Sequence, residues 1–162
     1  MSESGVLLLV AGKMGAGKST KSLQLSRERN AVRLSEDEWL AALYPGQVKS
    51  LDDYVRLSRQ LKTAIRSHVV ALLQRGTNVV LDFPANTVEQ RRWLKVLADD
   101  AGAKHELIFL ARSDERCLRQ IAKRRTDQPD RAAFDTDAVF REVTQYFEEP
   151  SEDEGLTITV IE

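Results

Sequence analysis

One cysteine, Cys117, stands among 162 residues. That excludes an internal disulfide framework and fits a reducing cytoplasm. A lone cysteine on a helix serves as a small apolar filler. Long apolar runs are missing as well. The longest near the start, Val6 to Ala11, falls far short of the ~20 residues that a membrane-spanning helix needs. No basic segment or cleavage-type site precedes it, so no signal peptide and no membrane association are expected. Neither sign of charge dominates: 24 basic and 25 acidic side chains give a net charge of −1. The basic excess usual in a duplex-binding protein is therefore absent. His68 and His105 have no second ligand at metal-site spacing and read as structural. Repeats and linkers are absent too, and this length suits one domain with a real core.

What is present is a regular alternation. "GVLLLVAG" (5–12) is a short continuous apolar run, as expected of a strand buried on both faces. A helix follows from Lys18 to Arg29 with Leu23 and Leu25 inward, then a strand at "AVRLS" (31–35). "SEDE" (35–38) has the Ser-x-x-Glu spacing that opens a helix, which ends before the Pro-Gly turn "YPGQ" (44–47). From Asp52 to Arg75 the residues Tyr54, Leu57, Leu61, Ile65, Val69 and Leu72 form one apolar stripe on a long helix. Its opposite face carries Arg56, Arg59, Lys62 and Arg66, read as a solvated surface.

"TNVVLDFP" (77–84) is a third strand, and Thr87 with Gln90 caps the next helix, which Gly102 stops. A strand at "HELIFLA" (105–111) leads into a basic helix from Asp114 to about Arg125. After the polar loop "RTDQPDRAAFD" (125–135) a helix spans Thr136 to Glu148, with Val139, Phe140, Val143 and Phe147 inward. "LTITVI" (156–161) is a last strand. Five strands separated by helices imply an α/β fold, a parallel sheet with helices on both faces.

"GKMGAGKS" (12–19) matches G-x-x-x-x-G-K-[ST] without departure. At average residue frequencies a chain this long meets that pattern by accident less than about 1% of the time. A strand before it and a helix after it supply the context the pattern requires. Gly12, Gly15 and Gly17 let backbone N–H groups curl around phosphate oxygens, and Lys13, Met14, Ala16 and Thr20 complete the loop. The helix N-terminus adds its partial positive charge. Lys18 would bridge the outer phosphates of ATP or GTP, and the Ser19 hydroxyl would ligate Mg²⁺. "VVLD" (79–82) ends a strand in Asp82, placed to hold the water shell of the same ion.

Three features favour transfer of the phosphoryl group over a motor or a switch. The chain has no room for a second ATPase subdomain, and it contains no "NKxD" base-reading signature. Asp37 sits in the first helical turn after the second strand, where a carboxylate can accept the proton of an attacking hydroxyl. The segment "CLRQIAKRRTDQPDR" (117–131) brings Arg119, Arg124 and Arg125 onto a helix leading into a polar loop. Such a lid would neutralise charge on the transferred group and exclude water.

Together, "GKMGAGKST", "SEDEW", "VVLDFPANT" and "CLRQIAKRR" resemble the small P-loop kinases. The likeness is to predicted ATP-binding kinases related to polynucleotide kinase, zeta toxin and chloramphenicol phosphotransferase families, over nearly the whole chain. It implies a three-layer P-loop fold with sheet order 2-3-1-4-5 and a lid at about 119–136. It also implies Asp37 as the acid acting on the acceptor, and Arg119 and Arg124 as lid arginines contacting nucleotide. Polynucleotide kinases and zeta toxins tend to place an arginine three residues after that acid; here the residue is Leu40.

The expected reaction is therefore transfer of the γ-phosphate of ATP to a hydroxyl of a weakly charged small molecule. A polynucleotide 5′-hydroxyl kinase and a non-catalytic nucleotide-binding switch remain alternatives, and either a monomer or a homodimer is compatible. Position alone nominates Trp39, Tyr44, Asn86, Arg91 and Arg92 for the acceptor side, with Asn86 equally readable as a helix cap.

Overall fold

The computed structural model describes residues 3–129 and 135–162. Part of the predicted polar loop and lid, residues 130–134, lies outside the described residues. Five strands form one parallel sheet: β1 (Val6–Gly12), β2 (Ala31–Ser35), β3 (Asn78–Asp82), β4 (Lys104–Leu110) and β5 (Ile158–Ile161). Their order is β2-β3-β1-β4-β5, as the resemblance implied. Between them run α1 (Lys18–Glu28), α2 (Glu36–Leu43), α3 (Leu51–Gln74), α4 (Val88–Ala101), α5 (Asp114–Asp127) and α6 (Asp137–Thr144).

The central strand explains the layering. Successive β1 side chains point to opposite faces, and both faces are buried. Leu7, Leu9 and Ala11 pack with α3 and α4 through Leu57, Leu61, Ile65, Val69, Leu94 and Leu97. Leu8 and Val10 pack on the other side with Leu25, Cys117, Ile121 and Phe140. The edge strands pay less heed to burial: Val32 and Val160 stay exposed.

The predicted helices form, with local corrections. Leu23 is exposed and the small Ser22 is buried instead, because α1 turns its 22–25 stripe to the sheet. On α3 the last core contact is Leu73, with Leu72 only partly buried. The last long helix is shorter than its periodicity suggested. It stops at Thr144, so Val143 is exposed while Phe140 alone is fully buried and Phe147 packs from the loop beyond, stacked on Phe109.

Register decides where chemistry can gather. Ser35 pairs with Asp82 and Gly12 with Leu110, so the C-terminal ends of four neighbouring strands share one sheet edge. The loops leaving that edge carry the glycine-rich segment, the start of α2 and the β3–α4 connection. Ligands of open parallel sheets bind at such an edge. Among the described residues no helix is long and apolar enough to cross a membrane.

Candidate functional site

Among the described residues, five of the six α-helices begin in the same way. Ser35, Ser50, Thr87, Ser113 and Thr136 each accept a hydrogen bond from the third backbone N–H, and each helix has an acidic residue in its first turn. These devices satisfy the N–H groups and offset the positive end of the helix. Helix α1 has neither: its cap is Gly17, without a side-chain bond, and its first turn carries no acid. Its N-terminus is thus left to bind an anion from outside.

The loop geometry supports this. Gly15 and Gly17 have φ of 80° and 98°, which glycine adopts without strain. At Gly15 space is also short, since a Cβ would lie 2.7 Å from the Cys117 carbonyl oxygen and 2.8 Å from Ile121 Cγ1. Helix α5 therefore packs directly against the loop. The Lys18 ammonium folds back across it, donating to the carbonyls of Gly12 (2.7 Å) and Lys13 (3.3 Å). Burial lowers the Lys18 pKa to about 8, opposed by the charges of Asp82 and Asp37 and reinforced by Arg124. Lys13 is turned outward to Asp114, at 2.7 Å.

A cavity of about 710 Å³ opens against this loop. Lys13, Met14, Gly15, Gly17, Lys18, Ser19 and Thr20 line its floor; Gly12 and Ala16 do not, serving the strand end and the core. Gln120, Lys123 and Arg124 line it from α5. The rest of the lining includes a second wall from α2, the β3–α4 loop and the end of α6 with the residues after it: Asp37, Asn86, Val143, Thr144 and Phe147. A second cavity of about 270 Å³ lies beside the same loop, with Arg112, Arg116 and Gln120 on its lining.

Asp37 owes its place to its neighbour. Glu36 is buried at the first turn of α2, where it accepts hydrogen bonds from the Tyr54 hydroxyl and from Ser58 Oγ (2.7 Å). Burial, with the Glu36 charge next, pushes the Tyr54 phenol above the ordinary tyrosine range, so it remains a donor. The pair of bonds pins α2 to α3 and turns the next residue to the cavity. Nothing in the sequence marked Glu36 apart from the acids flanking it, although Tyr54 and Ser58 sit on the buried stripe of α3.

Arg33 is the other residue that sequence reasoning missed. It donates to Asp82 (2.8 Å), Ser22 Oγ (2.8 Å) and Glu38 (3.0 Å), tying β3, α1 and α2 together. Asp82 therefore meets a guanidinium at the strand end, not open water. Among the described residues no three His, Cys, Asp or Glu side chains form a metal cluster. Mg²⁺ keeps several waters and takes one or two protein oxygen ligands together with substrate phosphates, and a serine hydroxyl and a carboxylate are donors of that kind. Of the two residues expected to hold it, Ser19 lines the cavity, whereas Asp82 is bonded to Arg33 and is not among the lining residues.

The two lid arginines part company. Arg124 lines the cavity and grips the buried Asp135 with two bonds, of 3.0 and 2.7 Å. Arg125 donates to the Asp135 carbonyl. Arg119 is not brought into the site: its side chain is 71% exposed and pairs with Glu115, one turn back on the solvent face of α5.

Of the five acceptor-side nominations, only Asn86 reaches the cavity. The helix cap is Thr87, not Asn86. Trp39 is a partly exposed side chain on α2, the Tyr44 hydroxyl donates to Gln60, and Arg92 is exposed. Arg91 is fully buried, bonded to Glu154 (2.8 and 3.1 Å) and to the Ala85 carbonyl (2.9 Å), so it is a structural residue. Leu40 is buried in the core, which leaves no room there for a cation facing a ligand.

Residues 7–150 match a family model described as an AAA domain. No curated protein matches the sequence. Solved structures match nearly the full chain. A candidate kinase from Chloroflexus aurantiacus j-10-fl superposes with a TM-score of 0.73 at 19% identity, covering 98% of this chain and 85% of the other. The Mycobacterium tuberculosis APS kinase CysC in complex with AMPPNP and APS gives 0.65 at 18% identity, covering 98% and 89%. A gluconokinase from Sinorhizobium meliloti 1021 gives 0.58 at 16% identity, covering 99% and 84%. The shared architecture is the P-loop NTPase fold.

Proposed function

The chain belongs to the AAA-domain family, and from that premise we propose that it is a nucleotide-dependent phosphotransferase acting on a hydroxyl of a small molecule. The observation that carries the reading is one cavity bounded by two unlike walls. One is an uncapped helix end with Lys18, and the other, from a different element, carries the Asp37 carboxylate. A switch needs the first wall only. The kinase neighbours, one of them holding AMPPNP, support a nucleoside triphosphate as the donor, ATP or GTP.

In this reading residues 12–20 hold the phosphates through backbone N–H groups, and Lys18 spans the outer ones. The acceptor oxygen attacks the γ-phosphorus as the bond to the β–γ bridging oxygen breaks and the nucleoside diphosphate leaves. The hydroxyl proton passes to Asp37. Arg124 supplies positive charge to the transferring group from α5, within a lid at about 119–136 on a single domain of residues 1–162. Ser19 and, through water, Asp82 would hold Mg²⁺, which when bound would neutralise charge on the phosphates. Arg33 then fixes the orientation of Asp82.

The test is ADP release with ATP and Mg²⁺ across nucleosides, sugars, aminoglycosides and oligonucleotides. Slow release alone and acceleration by one acceptor class are expected. Tight nucleotide binding with no acceleration by any class would instead identify a nucleotide-binding switch.

A further inference from the structure

The second wall of the cavity carries two polar atoms that the fold leaves unused. Asn86 Oδ1 and Thr144 Oγ1 are buried and have no hydrogen-bond partner among the described residues. Both residues line the cavity. They belong to one joined unit, because the Glu148 N–H donates to the Asn86 carbonyl (2.8 Å) and the Val88 N–H to the Glu148 carboxylate (3.3 Å). Those bonds bring the segment after α6 beside the β3–α4 loop, with Phe147 between its own stacking partner Phe109 and the cavity lining.

Buried polar atoms in folded proteins are nearly always paired, and an orphan needs a reason. Here the two orphans share one wall of one cavity. An amide oxygen can only accept, whereas a threonine hydroxyl can donate or accept. Val143 and Phe147 add an apolar surface to the same wall. Among the described lining residues the cations Lys13, Lys18, Lys123 and Arg124 come from the loop and α5, none from the segments that carry Asn86 and Thr144, and Arg91 is committed to Glu154.

We infer that this wall is the acceptor subsite and that it takes an uncharged polyhydroxylated molecule, such as a sugar or sugar alcohol. One ligand hydroxyl donates to Asn86 Oδ1, another pairs with Thr144, and the carbon face of the ligand rests on Phe147 and Val143. A phosphorylated acceptor or a nucleic-acid end finds no counter-charge there. The inference rests on the phosphotransfer reading for the fate of the bound hydroxyl, and on the cavity alone for binding.

The experiment loads the protein with AMPPNP and Mg²⁺ and measures binding of two panels by calorimetry. One panel holds neutral sugars and sugar alcohols; the other holds sugar phosphates and 5′-hydroxyl oligonucleotides. ADP release with ATP is measured on the same compounds. A neutral member should bind, and Asn86→Leu and Thr144→Val should each weaken it at least about tenfold, because a site built to bond a hydroxyl loses most when one partner is removed. Nucleotide affinity should stay within about twofold, and melting temperature should not fall, since neither orphan contributes a bond to the fold. Asn86→Asp, which keeps an accepting oxygen, should retain neutral binding better than Asn86→Leu.

Preferential binding of the phosphorylated or nucleic-acid panel overturns the subsite, as does binding of no neutral member. So does neutral binding that ignores both variants. ATP consumption with a phosphorylated acceptor would overturn the subsite and leave phosphotransfer standing. Neutral binding that the variants abolish, without ATP consumption, would leave the subsite standing and remove phosphotransfer.

Discussion

The two walls of the cavity are built by opposite means. The nucleotide wall comes from one local stretch, residues 13–20, whose chemistry is mostly backbone: left-handed glycines and an uncapped helix end, with Lys18 folded back across the loop and Lys13 turned outward. The wall proposed for the acceptor is assembled from α2, the β3–α4 loop and the end of α6 with the residues after it, and its chemistry is all side chain. A local backbone shape leaves a local signature. A wall brought together by tertiary packing leaves none, because each contributing residue is ordinary in its own segment. If the two walls are separate working parts, a change on one should spare the other.

The largest effect should come from Asp37→Asn. The amide keeps the shape but cannot take the hydroxyl proton, so acceptor-dependent turnover should fall by about 10²–10⁴-fold. Nucleotide affinity, set by the nucleotide wall, should move by no more than about twofold. Both are read by pairing ADP release with a nucleotide titration. Turnover that persists would remove Asp37 from proton transfer, and a parallel loss of nucleotide affinity would join the two walls into one.

Arg91→Met tests whether the scaffold behind the acceptor wall is distinct from the wall. The guanidinium is buried, and Glu154, itself only slightly exposed, would be left without its partner. Burial works to raise the Glu154 pKa, but the hydrogen bonds from Arg91 and the Ser151 N–H outweigh it and hold the carboxyl below its usual range. Breaking such a pair costs about 3–5 kcal/mol, to be measured by urea unfolding. Nucleotide affinity in the surviving folded fraction should be that of the parent. A change in acceptor preference without loss of stability would return Arg91 to the binding surface that its sequence position suggested.

These two residues show where sequence reading succeeds and where it stops. The strands, caps and glycine loop were legible because each depends on residues within one turn or one strand: Ser35, Ser50, Thr87, Ser113 and Thr136 cap helices by their own chemistry. Asp37 could be placed because it follows a strand end directly. Arg91 could not, since an arginine two turns from a carboxylate and one 63 residues away look alike until the chain closes. Arg33 and Glu36 were hidden for the same reason. Each has its partners on other elements, and only the fold reveals that one holds Asp82 and the other aims Asp37.

Lys18 should make the nucleotide wall sensitive to pH in a way the acceptor wall is not. Without nucleotide its pKa is about 8, chiefly through burial, whereas phosphate oxygens favour the charged form and raise it. Above pH 8 binding must therefore take up a proton, and affinity should fall with rising pH by at most about tenfold per unit. Below pH 8 this term is flat, because Lys18 is already charged. Stability runs the other way. The unfolded chain binds the proton up to its ordinary value of 10.5, so this group adds stability to the free protein as pH rises from about 8 towards that value. Calorimetry at pH 8.5 in buffers of different ionisation heat should show net proton uptake; none would mean that Lys18 does not meet the phosphates.

The smallest effect separates two arginines on one helix. Arg124 lines the cavity, held by both oxygens of Asp135. Arg119 has its side chain 71% exposed, 3.8 Å from a still more exposed Glu115. An exposed pair of this kind is worth little, because solvent screens it and two long side chains must be held in place. Arg119→Ala should therefore leave stability, nucleotide affinity and acceptor-dependent turnover within about twofold of the parent. Arg124→Ala takes two bonds from the buried Asp135 and so should also lower stability. Its turnover per folded molecule should still fall below that of Arg119→Ala if the Arg124 charge acts on the transferring group. The informative quantity is the ratio of the two variants' kcat. Equal losses would mean that α5 moves far enough on nucleotide binding to turn Arg119 into the cavity, making the lid a larger moving part than one helix end. A ratio well above one would confine that wall's electrostatic contribution to the last turn of α5.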